Sequence, residues 1–202
     1  MNGNNSVLMP KTKQFDEHEV LNKAKDLFHK KGYNGTSMDE LVQATGLSRS
    51  SIYDTFGDKY SFYIRTLEFY KKQARSDMEK ALEKISSPRK KIEYFLDLTV
   101  KDITNDLNRK GCFMVNATTE LAGADTKIAD IACVNMQEME EKFYTWIKEG
   151  QAAGEISKTH TARSLARHLY NTLTGLRVTG KTNPDKTLLK DIVKTSLSVL
   201  DV

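Results

Sequence analysis

Between Thr36 and Lys59 the chain reads TSMDELVQATGLSRSSIYDTFGDK, and Arg49, Ser50, Ser51, Tyr53, Thr55 and Lys59 crowd its second half. A guanidinium, hydroxyls, a phenol and an ammonium share one chemistry here, the donation of N–H and O–H bonds to an acceptor-rich partner. DNA is such a partner, because the first turn of a recognition helix meets base edges while neighbouring side chains reach phosphates. The same residues also suit a plain solvated helix face, so what surrounds them decides between the readings.

The spacing around them predicts two short helices hinged at Gly46. Ser37 and Glu40 form a capping box, and Met38, Leu41 and Val42 supply the apolar stripe of the first helix. Gly46 takes the left-handed conformation that ends it, and Leu47 turns back to seal the corner. Ser48 caps the second helix, in which Ile52 and Phe56 lie four residues apart and face inward. Gly57 ends this helix, Asp58 caps the next, and Lys59 stands where a cation would help hold a phosphate. An earlier helix carries Val20, Ala24, Leu27 and Phe28 on one face and opens with an Asp16 to Glu19 capping box.

These residues in register resemble the N-terminal domain of TetR-type transcriptional regulators: Gly32-Tyr33, Thr36-Ser37-Met38, Gly46-Leu47-Ser48, Ile52-Tyr53, Phe56 and Lys59. The resemblance implies that Ser37, Ser48, Tyr53 and Lys59 hold phosphates while Arg49, Ser50 and Ser51 face bases. Two positions depart from the family pattern, with Ser50 where glycine is common and Thr55 where histidine is frequent. Both substitutes still donate to a phosphate.

Composition bounds the rest. The chain has 202 residues, 39% hydrophobic content, three prolines and two cysteines, enough for one or two modest cores built mainly of helices. No window approaches the roughly 18 apolar residues of a membrane span, and the N-terminus lacks the apolar core of a signal peptide. A cytoplasmic protein without a structural disulfide is expected. The net charge is +4, yet residues 1–60 hold eight Lys/Arg against eight Asp/Glu. DNA affinity must therefore come from arrangement, with Lys11, Lys13, Arg49 and Lys59 toward the duplex and Asp16, Glu17 and Asp39 away from it.

Beyond residue 60 the pattern stays helical. A long amphipathic run over 59–85 bridges to the second domain. Ser87 and Pro88 open another helix that continues until Gly111, a short one spans 113–121, and Asp125 opens one that ends at Gly150 and Gly154. The last two cover 159–180 and 184–200. The expectation is an all-α chain of about nine helices. It divides into a flexible arm (1–13), a helix-turn-helix domain (14–60) and a helical effector-binding and dimerisation domain (61–202).

The final hairpin carries Leu165, Leu169, Leu173 and Leu176 on one helix and Leu189, Ile192, Val193 and Leu197 on the other. A stripe this wide predicts an antiparallel four-helix bundle with a second copy, as the resemblance also implies. A homodimer would space two readers about one DNA turn or a multiple apart, which calls for a palindromic operator. The resemblance further implies a repressor released by a small effector held among Phe95, Thr99, Cys112, Met114, Thr118, Met139, Phe143, Trp146, His168, Asn171 and Thr172.

Cys112 follows Gly111 at the mouth of a helix, where the positive end of the dipole favours a thiolate. Gly111-Cys112-Phe113 resembles a TetR subgroup in which some members sense electrophiles or oxidants, though a small buried hydrophobe is the commoner role of a free cysteine. Cys133, between Ala132 and Val134, reads as core. Catalysis finds no support: His18, His29, His160 and His168 lack metal-ligand spacing, and there is no Gly-rich phosphate loop or nucleophile elbow, so no cofactor or metal is expected. An alternative is a helix-turn-helix interaction protein controlled by a protein partner.

Overall fold

The computed structural model describes residues 15–202, and among these it contains nine α-helices, a short 3-10 turn over Ser198–Leu200 and no strand. The arm over 1–13, with Lys11 and Lys13, lies outside the described residues. The helices are α1 (Glu17–Lys31), α2 (Met38–Thr45), α3 (Arg49–Phe56), α4 (Lys59–Leu82), α5 (Pro88–Asn105), α6 (Phe113–Leu121), α7 (Thr126–Ala152), α8 (Ala162–Thr182) and α9 (Lys186–Leu197).

Local chemistry explains where they start. Asp16, Ser37, Ser48, Asp58, Ser87, Asp125, Thr161 and Asp185 each accept a backbone N–H from the first turn that follows. Only α6 lacks such a cap, because Cys112 stands there and makes no capping hydrogen bond. The Ser37–Glu40 capping box forms as expected. At α1, Asp16 accepts from the His18 N–H instead, and Glu19 pairs with Lys23 at 2.7 Å.

Several ends differ from the sequence expectation. Helix α5 stops at Asn105 rather than Gly111, since the Asp106 carboxylate turns to accept the Gly111 N–H at 2.9 Å and Leu107 swings into solvent. The last turn of α9 tightens into the 3-10 segment, and Thr161 rather than Thr159 opens α8.

The apolar side chains gather into two cores. One joins α1 to α3 with α4 as far as Phe69, and recruits Phe113, Met114 and Ala117 of α6 and Ile128 of α7. The other joins Met78 and Leu82 of α4 to α5, α7, α8 and α9. A domain boundary at residue 60 therefore falls in the first turn of α4, and α6 packs with the reader. In the second core α5 and α8 approach closely at Gly180, where any Cβ would collide with Ile103.

Candidate nucleic-acid interface and effector cavity

In α3, Ile52 and Phe56 are buried, and Phe56 stacks on Phe62 of α4 with ring centres 4.2 Å apart. This anchoring turns Arg49, Ser50 and Tyr53 outward, and all three are exposed. Gly46 adopts the left-handed conformation (φ 75°, ψ 7°) that sets the angle between α2 and α3. Ser48 Oγ accepts the Ser51 N–H at 3.1 Å and contacts the Ser50 and Ser51 hydroxyls at 3.0 and 2.9 Å, so the serines form one polar knot at the start of the helix.

The eight predicted DNA-facing residues are not equally available. Arg49 donates to Asp39 at 2.5 Å across the turn, an exposed pair that a phosphate or base can displace at little cost. Ser37 is engaged with Glu40. Lys59 gives two of its three donors to the carbonyls of Tyr33 and Thr36, at 3.0 and 2.9 Å, and lies 4.2 Å over the Tyr33 ring. These contacts tie α4 to the turn before α2. Thr55 is half-buried, and its carbonyl accepts from Arg65.

Two contacts fasten α6 to this reader. The Glu120 carboxylate accepts the Tyr33 and Asn34 N–H groups at 3.1 and 2.8 Å. His29 of α1 contacts the Gly111 carbonyl at 2.9 Å and stacks on Phe113. Phe113 in turn meets Tyr63 and Tyr70 edge-on, forming one aromatic seam between α1, α4 and α6.

Burial lowers the His29 pKa from 6.5, the Lys110 ammonium adds to the effect, and the Gly111 carbonyl opposes it. An imidazole with a depressed folded value is protonated first in the unfolded chain, so its contribution is complete above the unfolded value and is lost as pH falls. Urea denaturation is expected to show stability dropping as pH goes below 6.5, and His29→Gln should flatten that drop. An equal slope in both proteins would contradict the placement.

Two cavities adjoin the seam, one of about 520 Å3 and one of about 480 Å3. Both are within the range of small-molecule sites, about 300–1,000 Å3. Tyr70, Cys112 and Arg177 line both and form the wall between them. Of the predicted pocket residues, Phe95, Met114, Met139 and Trp146 line the second cavity, Thr99 the first, and Cys112 both. The Cys112 thiol is buried and accepts from the Tyr70 hydroxyl at 3.6 Å, so an electrophile would reach it only through a cavity.

The other five line neither cavity. Phe143 is wholly buried in the second core, Thr118, His168 and Asn171 are exposed, and Thr172 turns to the Ser196 hydroxyl at 3.2 Å. Tyr70, Tyr170, His29 and Arg177 were missed. Cys133 is exposed, not core.

The residues expected at the dimer interface divide between core and surface. Leu165, Leu169, Leu173, Leu176, Leu189 and Val193 are buried within a single protomer. Ile192 and Leu197 remain half-buried. No group of three or more metal-ligating side chains forms among the described residues. Nor is any helix among them long and apolar enough to cross a membrane.

Comparison with known proteins agrees with this architecture. Residues 20–66 match the family described as bacterial regulatory proteins, tetR family, and residues 88–195 match the tetracyclin repressor-like C-terminal domain. The uncharacterized HTH-type transcriptional regulator YezE of Bacillus subtilis is 29% identical over 96% of this chain and all of its own. The HTH-type transcriptional repressor ComR of Escherichia coli is 27% identical over 92% of this chain and 89% of its own. A cysteine mutant of the TetR family regulator CifR, solved with 26-base-pair operator DNA, superposes with a TM-score of 0.82 at 25% identity, covering 95% of this chain and 100% of that one. With both halves of the chain accounted for, it belongs to the TetR family and is a DNA-binding transcriptional regulator, not an enzyme.

Proposed function

We propose that this regulator is a homodimeric repressor that grips a palindromic operator and lets go when a small molecule fills the cavities beside α4. The observation that carries the release step is their shared wall. Tyr70, Cys112 and Arg177 stand where α4, α6 and α8 meet, and α4 and α6 are packed into the reader core. A ligand that displaces Tyr70 or Cys112 pushes on helices that position α3. The two states then differ in the distance between two readers, and the ligand favours the state with the larger cavity. No observation favours a protein partner in place of the ligand.

For the dimer, the usable surface is the outer stripe of α8, namely His168, Asn171, Gly175 and Val178, with the half-buried Leu188, Ile192 and Leu197 of α9 beside it. Val178 is 49% exposed, and nothing lies near the open side of Gly175, so a second helix can come close there. CifR bound to its operator supplies the precedent for DNA binding by this architecture.

Val178→Glu places a charge at one end of that stripe without touching either core. Sedimentation is expected to show a dimer for the parent chain and a monomer for the variant, with operator affinity falling by about tenfold or more as one reader is lost. A variant that stays dimeric removes this surface from the account.

A further inference from the structure

The second cavity holds a cation with no partner. Lys71 pairs with Glu138, and Arg75 and Lys142 both pair with Glu79, so the charges around its mouth are satisfied among themselves. Arg177 differs. Its guanidinium is half-buried between the two cavities, and among the described residues it donates no hydrogen bond and forms no ion pair. Asp102 acts on it only through space. The five Arg177 donors have no protein acceptor among the described residues and stand at the edge of a largely apolar chamber, open to a ligand that enters it.

The other walls describe what would sit against it. Met78, Phe95, Met114, Met139, Trp146 and Tyr170 supply thioethers and aromatic faces, suited to an apolar body of irregular shape. Tyr70 and Tyr170 stand beside the guanidinium. Burial raises the Tyr70 pKa, which keeps its phenol a neutral donor. A planar carboxylate matches the guanidinium fork through two parallel hydrogen bonds. A neutral ligand of the same shape would leave the charge unanswered.

We propose that the effector of this regulator is an organic anion, a carboxylic acid with an apolar body, whose carboxylate is held by Arg177 while its body fills the chamber between α4, α5, α7 and α8. The assignment rests on the effector reading above and narrows it to one class. It also places the anion against the shared wall, where its arrival would be felt by Tyr70 and α4.

The test uses the full chain and two probe pairs, decanoate against decanamide and 4-phenylbutyrate against 4-phenylbutanamide. Binding is read by calorimetry and by the rise in unfolding temperature. At least one acid should bind about tenfold or more tightly than its amide. Arg177→Gln should abolish the preference, and Arg177→Lys should keep part of it. Equal binding of acid and amide, no acid binding to the parent chain, or a preference that survives in Arg177→Gln would each overturn the proposal. Should Arg177→Gln fail to fold, the comparison in the parent chain still decides. Operator DNA separates this inference from the one beneath it. Amides that release DNA as well as acids would sink the anion site and leave effector control standing. Acids that bind through Arg177 without disturbing DNA would do the reverse.

Discussion

Arg49→Ala and Tyr53→Ala are each expected to weaken operator binding by about 1–3 kcal/mol, the magnitude of one good base or charged phosphate contact. Both side chains are exposed on α3, and neither contributes to the core beneath it. Their loss should therefore leave unfolding within about 0.5 kcal/mol of the parent, as for surface substitutions generally. Arg49 has a choice to make on binding, since Asp39 holds its guanidinium at 2.5 Å in the free protein. Exchange for DNA is favoured because the pair is exposed and weak, while a phosphate or guanine edge offers two acceptors. Gel shift on a fixed operator with purified variants checks both values. Unchanged affinity in both would mean that α3 does not carry the reading face.

Phe113→Ala is expected to have the largest effect on stability, about 3–5 kcal/mol, the usual cost of removing a buried aromatic ring. The ring is 1% exposed and lies 5.3 to 5.6 Å from the rings of His29, Tyr63 and Tyr70. Truncation would leave a void where α1, α4 and α6 meet. Against a total stability of about 5–15 kcal/mol such a loss is severe. Phe113→Leu, which keeps most of the volume, should cost much less and can be assayed for function. If the seam transmits effector binding, Phe113→Leu binds the effector normally but releases DNA less completely. Urea midpoints measure the stability effect, and a shift under about 1 kcal/mol for Phe113→Ala would show that the seam is not a packed joint.

The reader was legible in the sequence because its determinants are local. Ser37, Glu40, Gly46 and Ser48 act within a few residues of themselves, and the Ile52 and Phe56 spacing can satisfy only one face of a short helix. The stripe on α8 was legible as a stripe but not as to its partner. Leu165, Leu169, Leu173 and Leu176 repeat at helical spacing whether they meet α7 of their own chain or a helix of another, and periodicity carries no information on which. The cavity-lining residues were harder still. His168 and Asn171 share a helix with Arg177, yet they lie on its outer face while Arg177 reaches between the cavities. Tyr70 resembles any aromatic of a long amphipathic helix until Cys112 is brought to its hydroxyl across 42 positions of chain. Lys59 is expected at a phosphate from its charge alone, and the two carbonyls that accept two of its donors come from 26 and 23 positions away in the chain.

The central claim is that two copies of α3, held by a dimer, read a symmetric DNA site. Selection of bound sequences from a randomised duplex library by the full-length protein tests it most directly. The account predicts enrichment of an inverted repeat whose half-sites lie one helical turn, about 10 base pairs, or a multiple apart, with enrichment lost in Arg49→Ala. Recovery of a single asymmetric half-site, or no enrichment over the starting library, would contradict it.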